Sequence, residues 1–336
     1  MPAALAALLF LVSLGVTLAA ARLFARRLDR LGVRFGFPEA LIGLLTAVAA
    51  DGPEISSALF ALVKGANNVG IGVLVGSNGF NLAAMIGLSA LLAGRVRIAR
   101  ETLVLEGLVG LLVTVFAAML LLTWLPSGAA VGLSVLVLVP YLALVIAGAR
   151  LLERLHPSDR SPAARLARAL HEHPGPARDP DLDSGESPTH HLLGLIVVDL
   201  ALIVAGSAGM VETALTLAGD WHIPNTVLGV LVLGPLTSLP NAATAVRLGL
   251  AGRGAALVGE TFNSNTINLA AGVIVPSLFV TLAAVATLGK LQLAWLLAAT
   301  VLTLVLLARS EGMGRRGAAA LILLYFAFVV GTLVGS

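Results

Sequence analysis

The sequence predicts an all-α polytopic membrane protein, with ten transmembrane helices in two inverted five-helix repeats. Three observations predict it. Hydrophobic residues fill 58% of the 336 positions and charged residues only 12%, and mean hydropathy is +0.99; a soluble chain carries about 25% charge. Ten apolar runs are each long enough to cross a bilayer, which takes roughly 20 residues of helix. Two stretches 187 residues apart repeat one polar pattern without a gap.

The runs lie near 3–24, 38–63, 66–93, 101–123, 129–152, 191–217, 224–249, 254–284, 289–308 and 316–335. They are continuous rather than alternating in short segments, which excludes an outer-membrane barrel and leaves helices. The first run is read as an uncleaved span, because its basic residues follow the apolar stretch instead of preceding it. No cysteine is present, which excludes disulfides and thiolate metal sites.

The basic residues set the orientation. The 21 comprise two lysines, Lys64 and Lys290, and nineteen arginines. Every arginine falls in the loops after spans 1, 3, 5, 7 and 9 or at the span ends beside them, and both lysines fall on the opposite side. The positive-inside rule makes the arginine side cytoplasmic and both termini external. The net charge of +3 therefore reflects topology and contact with a lipid bilayer, not nucleic-acid binding. The expected membrane is the cell inner or plasma membrane.

Residues 1–152 form the first transmembrane half, 153–190 a polar cytoplasmic linker, and 191–336 the second half. Five of the six histidines lie in or beside the linker. Asp179, Asp181, Asp183 and Glu186 resemble the start of a calcium loop, but Gly185 comes one place late and the twelfth position lacks Glu. The linker is read as solvated chain, with a short surface helix over 160–169.

The repeat carries the chemistry. Pro53-Glu54, Gly65, Gly72, Ser77-Asn78 and Asn81-Leu82-Ala83-Ala84 recur as Pro240-Asn241, Gly252, Gly259, Ser264-Asn265 and Asn268-Leu269-Ala270-Ala271. Five spans separate the copies, an odd number, so the second is inverted. Paired, interrupted hydrophobic segments point to the substrate site of a secondary transporter. Asp51 and Glu54 lie in mid-span, where each carboxylate costs about 2.5–3.5 kcal/mol. A cation, a proton or a water-filled cavity must compensate them, since no Lys or Arg lies in the middle of a span to pair them. Pro53 removes a backbone donor and is expected to free carbonyls near Ala47 and Ala50. Hard oxygen ligands of this kind suit sodium, calcium or magnesium. The second copy offers Thr237, Ser238 and Asn241. Ser77, Asn81, Ser264 and Asn268 are read as ligands, and Asn78 and Asn265 equally as interhelical glue.

Other acids are weaker candidates. Asp199, inside span 6, is expected to face the same cavity or carry a proton. Glu260 suits the helix dipole at the start of span 8, and Glu106 and Glu212 are expected to reach the interface. Gly72 and Gly76 read as close helix packing.

Thr237-Ser238-Leu239-Pro240 and Gly76-Ser77-Asn78-Gly79-Phe80-Asn81 resemble the two alpha-repeats of the sodium/calcium exchanger family, within the cation/calcium antiporter superfamily. The resemblance covers the ten-helix plan, with motif similarity confined to about 38–93 and 224–284. It implies Glu54, Thr237, Ser238, Ser77, Ser264, Asn81 and Asn268 as ligands, with the carbonyls of Ala47 and Gly234. Two departures stand out. Ala50-Asp51 replaces the first Thr-Ser pair, and Asn241 replaces the second Glu, so two carboxylates remain but on one side. The expectation is a sodium/calcium antiporter working by alternating access, with spans 1 and 6 moving across the repeat core. It takes inorganic cations as cargo and performs no enzymatic step. A cation/proton antiporter using Asp51 and Glu54, and a non-transporting sensor or scaffold, are the alternatives.

Overall fold

The computed structural model of the protein describes residues 1–35, 37, 39–154, 188–309 and 312–336. The linker reading over 153–190 thus lies almost wholly outside the described residues. The fold is helical, and among the described residues eight helices are long and apolar enough to cross a membrane. The other two expected spans, 38–63 and 254–284, are helical but interrupted.

In the first half, α1 (Ala3–Arg34) is followed by α2 (Glu39–Ala50) and α3 (Gly52–Val63), which are separated at Asp51. α3 begins at Gly52-Pro53 because proline suits the first helical turn, where its missing N–H has no partner to lose. α4 (Asn67–Asn81) continues through a π-helical turn (Leu82–Leu88) into α5 (Ser89–Ala93). α6 (Arg100–Leu121) and α7 (Ser127–Arg154) complete this half.

In the second half, α8 (Thr189–Asp220) is followed by a π-helical stretch (Leu228–Leu233) that runs into α9 (Gly234–Leu250). Here Pro240 is accommodated inside a continuous helix, whereas Pro53 opens a new one. α10 (Gly254–Leu269) ends in a second π-helical turn (Ala270–Ile274) and a 3-10 turn at Pro276–Leu278. The helix does not extend to 284 as the hydropathy suggests, because Pro276 has no N–H to continue the ladder. α11 (Thr287–Ala308) and α12 (Arg315–Val334) close the chain. A short antiparallel ribbon pairs β1 (Arg95–Arg97) with β2 (Gly312–Gly314), tying the loop after α5 to the loop before α12.

The packing centre is α4, which is buried along almost its whole length. It crosses the π-helical stretch 228–233 and the start of α9 at small residues: a Cβ on Gly72 would sit 3.1 Å from Gly229 Cα, and one on Gly234 only 2.7 Å from Ser77 N. Glycine is required there because backbone meets backbone. Leu74, Leu82, Met85, Leu233, Leu257 and Phe262 fill the surrounding core. α1 packs chiefly on α8, and both turn exposed apolar side chains such as Leu11 and Val197 outward, as a lipid-facing pair should. The tight turns after α3 and α9 are alike. Gly65 and Gly252 take positive φ (77° and 72°), and the next N–H, of Ala66 or Arg253, returns to Ala61 or Leu248 at 2.9 Å. That is a Schellman ending in both copies.

Candidate functional site

At the break before α3 and along it, Asp51, Glu54, Ala58 and Ala61 lie on one buried face; on α9, Ser238, Asn241, Ala245 and Leu248 do the same. The two faces meet in reciprocal pairs. Ser238 Oγ donates to Glu54 Oε1 at 2.9 Å, and Asn241 Nδ2 donates to Asp51 Oδ1 at 2.8 Å. Exchanging each residue for its counterpart 187 positions away converts one pair into the other.

The second tier shows the same exchange. Asn78 Nδ2 donates to Asn265 O at 3.1 Å, and Asn265 Nδ2 to Asn78 O at 3.2 Å. Asn81 Nδ2 donates to Asn265 Oδ1 at 3.0 Å, and Asn268 Nδ2 to Asn78 Oδ1 at 3.2 Å. Asn78 and Asn265 thus act as glue between α4 and α10. Ser264 joins the tiers: its Oγ donates to Asp51 Oδ1 at 2.7 Å and accepts from Asn81 Nδ2 at 3.2 Å.

These bonds leave a consistent remainder. Asp51 Oδ2, Glu54 Oε2, Asn81 Oδ1 and Asn268 Oδ1 are buried and have no partner. All four are acceptors; Asp51 is 1% exposed, and Glu54, Asn81 and Asn268 are 0% exposed. A buried acceptor without a partner costs roughly 1–3 kcal/mol, and more when charged. Carboxylate and amide oxygens of this kind are the ligands a hard cation takes. Ser77 Oγ donates to Leu74 O, and Thr237 Oγ1 to Leu233 O and Gly234 O. Their protons point into their own helices, which leaves oxygen lone pairs available. Among the described residues no group of three or more His, Cys, Asp or Glu could hold a metal. The oxygens gathered here belong mostly to amides and hydroxyls.

The Ala47 and Gly234 carbonyls each already accept one hydrogen bond. Ala47 O accepts the Asp51 N–H at 3.0 Å, so it is engaged in the helix, with one lone pair left. Pro53 removes the bond four residues back, to Ala49, not Ala47. Gly234 O already receives the Thr237 hydroxyl at 3.0 Å. The π-helical turns begin just after Asn81 and Asn268, a placement seen at many functional sites.

Two acids stand elsewhere than expected. Asp199 does not face the carboxylates; it pairs with Arg27 Nη1 at 2.5 Å and locks α8 to α1. Its hydropathic surroundings concealed a partner 172 residues away. Glu106 does not reach the interface. It is buried between α6, α7 and α10, where Tyr141 Oη lies 2.9 Å from Oε2 and 2.8 Å from Asn263 Oδ1. The sequence held no signal for that contact, since the three residues sit on separate helices. Glu212 is exposed and pairs with Lys64 at 2.7 Å. α8 also covers the break in the second span: Ile203 packs near Gly52, and Ser207 Oγ lies 2.6 Å from Ser56 Oγ.

Comparison with known proteins gives a consistent result. A family model described as "Sodium/calcium exchanger protein" matches residues 5–148 and 191–334, one block in each half. The putative antiporter CaxA of Alkalimonas amylolytica is 27% identical over 232 residues, covering 69% of this chain and 67% of its own. Among solved structures, the sodium-calcium exchanger NCX_Mj soaked with 2.5 mM Na+ and 10 mM Sr2+ has a TM-score of 0.58 at 21% identity, covering 98% of this chain and 99% of that one. The same exchanger soaked with 10 mM Na+ and no Ca2+ gives the same values. At that identity the likeness is one of fold.

Proposed function

We propose that this chain, which belongs to the sodium/calcium exchanger protein family, is a secondary active antiporter that exchanges calcium for sodium by alternating access. The observation that carries this reading is the set of four unpartnered oxygens on Asp51, Glu54, Asn81 and Asn268. They are contributed by both halves of the chain and lie in a multi-pass membrane protein. Two carboxylates balance one divalent ion, or two monovalent ions in competition with it.

The remaining parts follow from the same geometry. Each carboxylate is held through its other oxygen by a donor from the opposite half, so the bare oxygens are oriented before an ion arrives. The reciprocal pairs support ten spans in two inverted repeats related by a local two-fold axis. Ser77, Ser264, Thr237, Ser238, Asn241 and the carbonyls of Ala47 and Gly234 complete the proposed shell. α1 and α8, joined by Arg27–Asp199 and facing lipid, form the proposed moving pair, with Ile203 and Ser207 sliding past the break at Asp51. The arginine-bearing loops are placed in the cytoplasm by the positive-inside rule. The ions are cargo, and no resident cofactor is invoked.

A cation/proton exchange is the second reading. Asp51 and Glu54 interact electrostatically with each other, and a proton on one carboxyl would stand in for a departing cation. Proteoliposomes decide between them. Calcium uptake driven by an outward sodium gradient supports the first reading; uptake driven only by an outward proton gradient supports the second and rejects the first.

A further inference from the structure

Glu260 is the acidic residue of α10, and neither the paired carboxylates nor the amide tier uses it. It precedes Ser264 by one turn and Asn268 by two. The three side chains therefore follow one face of the helix at intervals of about 6 Å. Ser264, in the middle, bonds Asp51 at 2.7 Å. Glu260 is half-buried as a residue and within electrostatic reach of Asp51, Arg247 and Arg253. Arg247 lies in the last turn of α9, and Arg253 precedes α10. Glu260 thus stands between the arginine-bearing end of the bundle and the inner site. Behind it lies Asp51 Oδ2, buried and without a partner.

The opposite approach has no equivalent. Ser77 and Asn81 on α4 repeat Ser264 and Asn268, but the position that repeats Glu260 is Val73, which is 0% exposed. An acid has been placed on one side of a pseudo-symmetric site and a hydrocarbon on the other. With Glu260 ionised, it and the two arginines carry a net charge of +1; without it they carry +2. A cation arriving from that face meets a weaker positive field because Glu260 is there.

We propose that Glu260 forms an entry position for a hydrated sodium or calcium ion on the arginine-bearing face, one step outside Asp51. This rests on the transport reading above. An ion held there is passed inward to the bare oxygen of Asp51 rather than captured from bulk water. A purely structural ion pair with the arginines would instead alter stability, or both faces alike.

The test is calcium flux at low ionic strength in everted and right-side-out membrane vesicles. Sidedness is fixed by labelling Ala251→Cys in this cysteine-free chain. Glu260→Gln is expected to raise the half-saturating calcium concentration about fivefold on the face bearing Arg247, leaving the other face unchanged. Glu260→Asp should stay near the unsubstituted value. Arg247→Gln, a change at an exposed residue, should shift the same face in the opposite direction, which keeps the test open if Glu260→Gln fails to fold. Equal shifts on both faces, or no shift in either variant, would overturn the entry position alone. Absence of cation flux in the unsubstituted protein would overturn the transport reading and this inference with it.

Discussion

Asp51→Asn separates charge from shape at the centre of the site. Asp51 Oδ1 receives Asn241 and Ser264 at 2.8 and 2.7 Å, and an asparagine oxygen at that position keeps both bonds. The change falls on the bare Oδ2, which becomes an amide nitrogen pointing donors where a cation needs acceptors. At 4 Å and an effective dielectric near 20, a unit pair interacts by about 4 kcal/mol, and a divalent ion doubles this to about 8. Roughly half is recovered for either ion, because neighbouring amide and hydroxyl dipoles turn toward it where the carboxylate charge is lost. The net loss of about 4 kcal/mol corresponds to nearly three orders of magnitude in calcium affinity, and about half that on the logarithmic scale for sodium. Titration of the purified protein with calcium measures it, read by heat and by the calcium-dependent rise in Tm. The variant should reach the membrane with unimpaired ion-free stability. Calcium affinity within about threefold of the unsubstituted protein would refute the assignment of Asp51 Oδ2 as a ligand.

Other expectations follow from neighbouring contacts. Ser238→Ala strips Glu54 Oε1 of its donor and should weaken calcium binding by about 1.5–3 kcal/mol, or about 10- to 150-fold, measured by the same titration. Asp199→Asn should leave calcium affinity unchanged while lowering Tm, because it breaks a partly buried ion pair between α1 and α8; the double change Arg27→Gln/Asp199→Asn should recover part of the loss. Gly234→Ala should cost about 1–3 kcal/mol of stability, seen as a lower Tm, since its Cβ would lie 2.7 Å from backbone atoms of Ser77 and Val73.

The parts of this site readable from sequence were those that a repeat marks. Asp51 and Glu54 in an apolar span, and Ser and Asn at one offset in two copies, reveal a duplicated polar centre because membranes tolerate such residues only where something compensates them. What the repeat could not reveal is which oxygen stays bare. That depends on the crossed pairing of Glu54 with Ser238 and of Asp51 with Asn241, set by how α3 and α9 pack. The same limit explains Asp199, whose flanking residues are all apolar while its partner Arg27 comes from α1. It also explains the Glu106–Tyr141–Asn263 contact, assembled from three helices with no shared spacing. The π-helical turns after Asn81 and Asn268 have a similar origin, since Leu-Ala-Ala sequences continue an α-helix equally well and only the neighbouring backbones select the wider turn.

The most direct measurement is anomalous scattering from crystals soaked in strontium, a divalent oxygen-seeking stand-in for calcium. The proposed site predicts one principal peak within about 3 Å of Asp51 Oδ2, Glu54 Oε2, Asn81 Oδ1 and Asn268 Oδ1 together, slightly beyond the 2.3–2.6 Å of calcium–oxygen bonds, and its disappearance in Asp51→Asn. A peak away from these four oxygens, or one that persists undiminished in the variant, would contradict it.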